Sequence, residues 1–186
     1  MRRATLALAA ASVMAGCSRP RTPVADARPV AAERFVDAFY SFDRRRLADA
    51  LAAAERSAPR ILFYQGWAEG GHYRVSRRRP CALEPEQRVR CAITVRDDLI
   101  LALGLREQVT DTFRLTLDGG RIVRVTTSSD DPPLFEEAMT WVRRERADRI
   151  RVPCEGFFAG GPTPQACVRA MVQGFAEYAA LRRQPR

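Results

Sequence analysis

The stretch VTDTFRLTLDGGRIVRVTTS, residues 109–128, constrains this chain more than any other. Two runs with strict period-2 alternation flank Asp118-Gly119-Gly120. Glycines at such a turn take positive φ without steric cost, so the pattern predicts a tight antiparallel hairpin. Alternation also assigns faces. Phe113, Leu115 and Leu117 share the apolar face, and so does Asp111, a carboxylate where an apolar residue is expected.

The rest of the chain must cover that face. QRVRCAITVR, residues 87–96, alternates in the same way, with Val89, Cys91, Ile93 and Val95 inward and arginines outward. Upstream, VAAERFVDAFYSFD, residues 30–43, places Phe35, Val36, Phe39, Tyr40 and Phe42 at helical spacing. RRRLADALAAAERS, residues 44–57, reads as a second helix stopped by Pro59. RILFYQGW, residues 60–67, is rich in β-formers and reads as a strand, and HYRVSR, residues 72–77, as another. DPPLFEEAMTWVRRERADR, residues 131–149, opens with prolines and acids at a helix start. TPQACVRAMVQGFAEYAALRR, residues 163–183, reads as a closing helix. Helices segregated from an antiparallel meander define an α+β class. The curved sheet is expected to wrap around the N-terminal helices as a cone with an open mouth, with extra helices at the C-terminus.

The N-terminus points to export. Met1-Arg2-Arg3 precedes ATLALAAASVMA, about twelve apolar or small residues, the length of a signal-peptide core and short of a spanning helix. Met14-Ala15-Gly16-Cys17 resembles the bacterial lipobox, in which the cysteine is diacylated and becomes the new N-terminus. Two acyl chains give stable anchoring where one does not. SRPRTPVADARPVA has three prolines and no apolar periodicity, and reads as a tether. The expected organisation is a signal peptide over 1–16, a tether over 17–29, one domain over 30–150, and a cysteine-tied helical extension over 151–186. The expected location is the bacterial cell envelope, lipid-anchored, facing the periplasm or the exterior.

In an oxidising compartment, Cys81, Cys91, Cys154 and Cys167 read as disulfides. Proximity favours Cys81–Cys91 and Cys154–Cys167. Their spacings are far wider than the paired short knuckles of a zinc site, and no metal or cofactor motif occurs. The net charge of +9 comes from 31 basic residues that are all arginine. They are scattered and not interleaved with aromatics, which argues against nucleic acid and leaves anionic lipid as the simpler partner.

Two helices, then RILFYQGWAEGG, then Leu103-Gly104 and the Phe113–Val123 hairpin followed by a helix, resemble the nuclear transport factor 2-like superfamily, nearest its SnoaL-like branch. The resemblance covers residues 30–150. It implies a cone-shaped domain, a family of both enzymes and non-catalytic binders, and no cofactor. Fold therefore does not settle activity. Enzymes of this type that resemble ketosteroid isomerase use a carboxylate base in an apolar cone. Asp111 is the first candidate base and Asp37, one turn before Tyr40, the second. Tyr40, Tyr64, Trp67 and Tyr73 are candidates to line a binding site. His72, beside Gly70-Gly71, has no partnering nucleophile motif.

The sequence leans toward a non-catalytic lipoprotein domain binding an apolar small ligand or an envelope protein. The alternative is a cofactor-independent isomerase, cyclase or hydrolase. A homodimer through the outer sheet face stays open, although arginines at 88, 90 and 96 favour a wet surface there.

Overall fold

The computed structural model describes residues 26–155 and 165–184. The expected signal peptide, the lipidation site at Cys17 and all but the end of the tether lie outside the described residues. The end of the tether is already helical. α1 spans Ala27–Tyr40, and Asp26 caps it by accepting from the Arg28 amide at 3.0 Å.

The order of elements is α+β. After α1 come α2 (Arg44–Ala50), α3 (Ala58–Gly70), β1 (Arg74–Arg78), β2 (Ala82–Glu84) and β3 (Arg88–Arg96). A short α4 (Asp98–Ala102) leads into β4 (Val109–Asp118) and β5 (Arg121–Ser129). Three helices follow: α5 (Pro133–Glu145), α6 (Ala147–Arg151) and α7 (Gln165–Arg183).

The five strands form one antiparallel, unclosed sheet in the order β1-β3-β4-β5, with β2 also pairing to β3. The hairpin forms as the sequence requires, with Gly119 at φ 54° and Gly120 at φ 79° in the two-residue turn. β3 and β4 bury alternate residues, and Cys91 lies opposite Phe113. α1 crosses the apolar face. The rings of Phe35 and Phe39 lie 5.4 and 4.9 Å from that of Phe113, at the tilted and edge-on angles aromatic pairs prefer.

Residues 60–67 are helix, not strand. Pro59 does not end the helix before it; it occupies the first turn of α3, where a missing N–H costs nothing. The β-forming composition is overridden by tertiary packing, which holds Ile61, Gln65 and Ala68 on the core face at helical spacing. Gln65 is buried and closes the end of α1, its amide donating to the carbonyls of Ala38 and Phe39 at 3.1 and 3.0 Å. α2 is correspondingly shorter than composition suggests and ends at Ala50. β2 and α4 were not expected. Asp97 is the signal for α4, since it caps the helix by accepting from the Leu99 and Ile100 amides, both at 2.9 Å.

Disulfides join Cys81 to Cys91 and Cys154 to Cys167. The first ties the segment before β2 to β3, and the second ties the turn after α6 to α7. Closing loops of this length contributes about 3 kcal/mol each in the chain-entropy model. α7 then packs at close range. A Cβ added to Gly174 would stand 2.6 Å from Cγ2 of Val142 on α5, and one added to Gly70 would stand 2.9 Å from Cβ of Val168.

Gly174→Ala is therefore expected to destabilise the protein, by about 1–3 kcal/mol from overpacking, despite alanine's higher helix propensity. Urea unfolding checks this. The midpoint should fall with an unchanged slope, and an unchanged or raised midpoint would show that α5 yields freely.

Candidate functional site

α3 carries two stripes. The core stripe is Ile61, Gln65 and Ala68. The second is Arg60, Phe63, Tyr64 and Trp67, spaced i, i+3, i+4, i+7, and all four line one cavity. The opposite wall is the end of β5, Thr127 to Ser129, and the roof is Phe135 and Met139 of α5. Tyr73 and Asp131 complete it at one end and Arg56 and Pro59 at the other. The volume is about 580 Å³, within the range of about 300–1,000 Å³ typical of small-molecule sites.

Two contacts fix the direction of the cavity. The Ser57 hydroxyl, at the start of α3, accepts from the Val125 amide at 3.0 Å. Two turns later the Tyr64 hydroxyl donates to Oδ1 of Asp111, whose register partner on β5 is Ser129. α3 and β5 thus run alongside each other in the same sense. Arg56 and Arg60 stand at the Val125 end; Trp67, Tyr73 and Asp131 stand at the Ser129 end.

Asp111 lies behind the wall. It is 1% exposed, and both oxygens are engaged, Oδ1 by Tyr64 and Oδ2 by the Tyr40 hydroxyl at 2.7 Å. Burial pushes its carboxyl up to about 6. The two tyrosine hydrogen bonds pull the other way and favour the ionised form, and the charges of Asp131 and Asp97 add to the rise. Asp97 is also raised to about 6, chiefly by burial against its two capping amides. Tyr40, Tyr64 and Tyr73 are all raised above the ordinary phenol value, first by burial and then by these carboxylates. They are neutral hydroxyls at any physiological pH.

The candidates from sequence separate into two groups. Tyr64, Trp67 and Tyr73 line the cavity, and Tyr64 joins it to Asp111. Tyr40 touches Asp111 but not the cavity. Asp37 is not brought to either. It is exposed on α1 and pairs with Arg78 of β1 at 2.5 Å, beside Glu33 on the same guanidinium. That pairing ties the edge strand to α1. His72 is exposed, its Nδ1 2.5 Å from an Asp98 oxygen. Arg56, Arg60, Phe63, Asp131, Phe135 and Met139 were missed. Of these, Arg60 and Phe63 join Tyr64 and Trp67 on one face only when residues 60–67 are read at period 3.6. The sequence places Asp131 at a helix start; Pro132 holds the N-cap position of α5, and the half-buried Asp131 side chain lines the cavity. The acids do not converge as ligands. Among the described residues no three His, Cys, Asp or Glu side chains are placed to hold a metal ion.

The fold and site thus define an α+β domain with an aromatic-lined cavity between a helix and a sheet end, roofed by a second helix. No family model, curated protein or solved structure matches the chain.

The raised carboxyl of Asp111 has a signed consequence for stability. Its folded value of about 6 lies above the ordinary 3.8. Its contribution is fully present below about pH 4 and is lost as pH rises through about 6, a change of about 3 kcal/mol for a shift of this size. Asp111→Asn should remove that loss. The stability difference, variant minus wild type, is expected to rise between pH 4 and pH 7.5 in parallel denaturant titrations. A flat difference would mean that the tyrosine hydrogen bonds fully offset burial.

Proposed function

We propose that this protein is an exported bacterial lipoprotein, anchored in the cell envelope through Cys17, whose domain binds a small, largely apolar ligand without transforming it. The domain is read as a cone-shaped member of the nuclear transport factor 2-like superfamily. The helix–helix start and the antiparallel meander with its Gly-Gly hairpin support that assignment. Paired cysteines support an oxidising compartment. No described helix is long and apolar enough to cross a membrane, and an acyl anchor supplies attachment without one.

The observation that carries the binding reading is the cavity. Apolar and aromatic side chains of α3 and α5 line it, with the polar Thr127 to Ser129 on the β5 wall and charged groups at its two ends. Catalysis is the second reading, favoured by one observation: a carboxyl raised to about 6 would suit a general base. Against it stands geometry. A base must reach the proton it removes, and Asp111 is sealed behind Tyr64 with both oxygens engaged. Its role in this reading is positional: it holds the Tyr64 ring against the cavity.

Native mass spectrometry of the full chain, purified with its disulfides intact, tests this. Extra mass that is lost on denaturation is expected. Met139→Trp, which extends an indole into the cavity, is expected to abolish that mass while the protein still melts cooperatively. Ligand-free wild type, or extra mass retained in the variant, would overturn the reading. Turnover of a bound compound that Asp111→Asn abolishes would establish the catalytic one.

A further inference from the structure

We propose that the cavity selects an elongated amphipathic anion, with a carboxylate or phosphate head at Arg56 and Arg60 and a hydroxyl at the far end between Tyr73 and Asp131. This rests on the binding reading above and names its ligand class.

The head is assigned by charge. Arg56 and Arg60 are exposed, line the same end of the cavity and pair with no acid among the described residues. Other arginines of this chain do find partners, including Arg78 with two acids and Arg146 and Arg149 with Glu177. Two guanidinium groups at the mouth of an apolar cavity match a carboxylate or phosphate, which guanidinium binds through paired N–H donors. A cationic head would meet repulsion there.

The far end is assigned by hydrogen bonding. The Tyr73 side chain is buried and lines the cavity. Its oxygen accepts from the Trp67 indole N–H at 3.3 Å, and its own O–H is given to no acceptor among the described residues. Asp131, half-buried in the same wall, supplies an acceptor, and its charge is felt at Tyr73. A hydroxyl is the group that satisfies both, accepting from Tyr73 and donating to Asp131. A second carboxylate at that end would be repelled by Asp131, Asp97 and Asp111.

The body is assigned by length. From Arg60 to Trp67 along α3 is seven residues, about 10 Å at 1.5 Å per residue. Phe63, Phe135 and Met139 line that span. The ligand is therefore a medium-chain or fused-ring hydroxy acid or its phosphate analogue, not a two-tailed lipid.

Four ten-carbon probes test this on the full chain by calorimetry below their micelle thresholds: decanoate, 10-hydroxydecanoate, decan-1-ol and decyltrimethylammonium. Decanoate is expected to bind at least about tenfold tighter than the alcohol or the cation, and Arg60→Gln to remove that advantage. The 10-hydroxyl is expected to add about fivefold, and Tyr73→Phe to erase the ratio between 10-hydroxydecanoate and decanoate when both are measured on the same variant. Decyl phosphate in place of decanoate decides between the two heads, and both must depend on Arg60. Binding of the cation or the alcohol as tight as decanoate would overturn the anion assignment while leaving the cavity a binding site. A hydroxyl increment that survives Tyr73→Phe would overturn the far end. Failure of all probes in the wild type would overturn the binding reading as well.

Discussion

β4 presents Asp111, Phe113, Leu115 and Leu117 on a single face, and the rest of the molecule is arranged to cover it. The three apolar residues are covered by α1, through Phe35 and Phe39, and by neighbours on β3 and β5. Asp111 cannot be covered that way, because a buried carboxylate needs hydrogen-bond donors. Tyr40 of α1 and Tyr64 of α3 supply one each. A single polar residue on an apolar face thereby fixes where two helices sit relative to the sheet. Gln65 reinforces the same geometry from the next position of α3, holding the end of α1 through two carbonyls.

Docking α3 through Tyr64 turns its second stripe toward the end of β5. Phe63 and Trp67 line one side of the space, and the polar Thr127 to Ser129 of β5 line the other. α5 crosses above with Phe135 and Met139 and roofs the space without filling it. The cavity thus follows from the same hydrogen bonds that close the core. Its rigidity comes from behind, where α7 packs on α3 and α5 too closely for a Cβ at Gly70 or Gly174. A helix held at that distance cannot slide inward to collapse the cavity, because packed interiors resist even a methyl-sized change.

The sheet was legible because period-2 alternation is a strong signal over nine or ten residues and because Gly119-Gly120 between two such runs favours a tight turn of positive φ. The anomalous position of Asp111 was legible for the same reason, as was the proximity pairing of the cysteines. α3 was not. Its short run of Ile, Leu, Phe, Tyr and Trp satisfies strand composition, and a run of eight residues cannot separate a buried strand from a helix by period. Only long-range partners decide it, here Asp111 at 47 residues' distance and Ala38 at 27. The cost of that ambiguity fell on the site. At strand spacing Phe63 and Tyr64 point to opposite faces; at helix spacing both join Arg60 and Trp67 on one wall. Tyr64, Trp67 and Tyr73 could be named from composition alone, whereas the arginines at the mouth and Asp131 at the far end needed the helix.

Charge placement separates the two ends of that wall. Other acids with a structural task are matched by several donors: Glu33 and Asp37 by Arg78, Glu84 by Arg90 and Arg114, Asp97 by the first amides of α4, and Asp111 by two tyrosine hydroxyls. Among the described residues Asp131 has the Ser129 hydroxyl as its hydrogen-bond donor, and burial raises its carboxyl above the ordinary range. Pro132 holds the N-cap position of α5 but gives it no side-chain hydrogen bond, and Asp131 stands one residue before it. An acid half-buried at the inner end of an apolar cavity, with two arginines at its mouth that pair with no acid among the described residues, carries a desolvation cost. Such a cost is characteristic of a group retained for what it meets in the bound state, and it gives the cavity a direction as well as a volume.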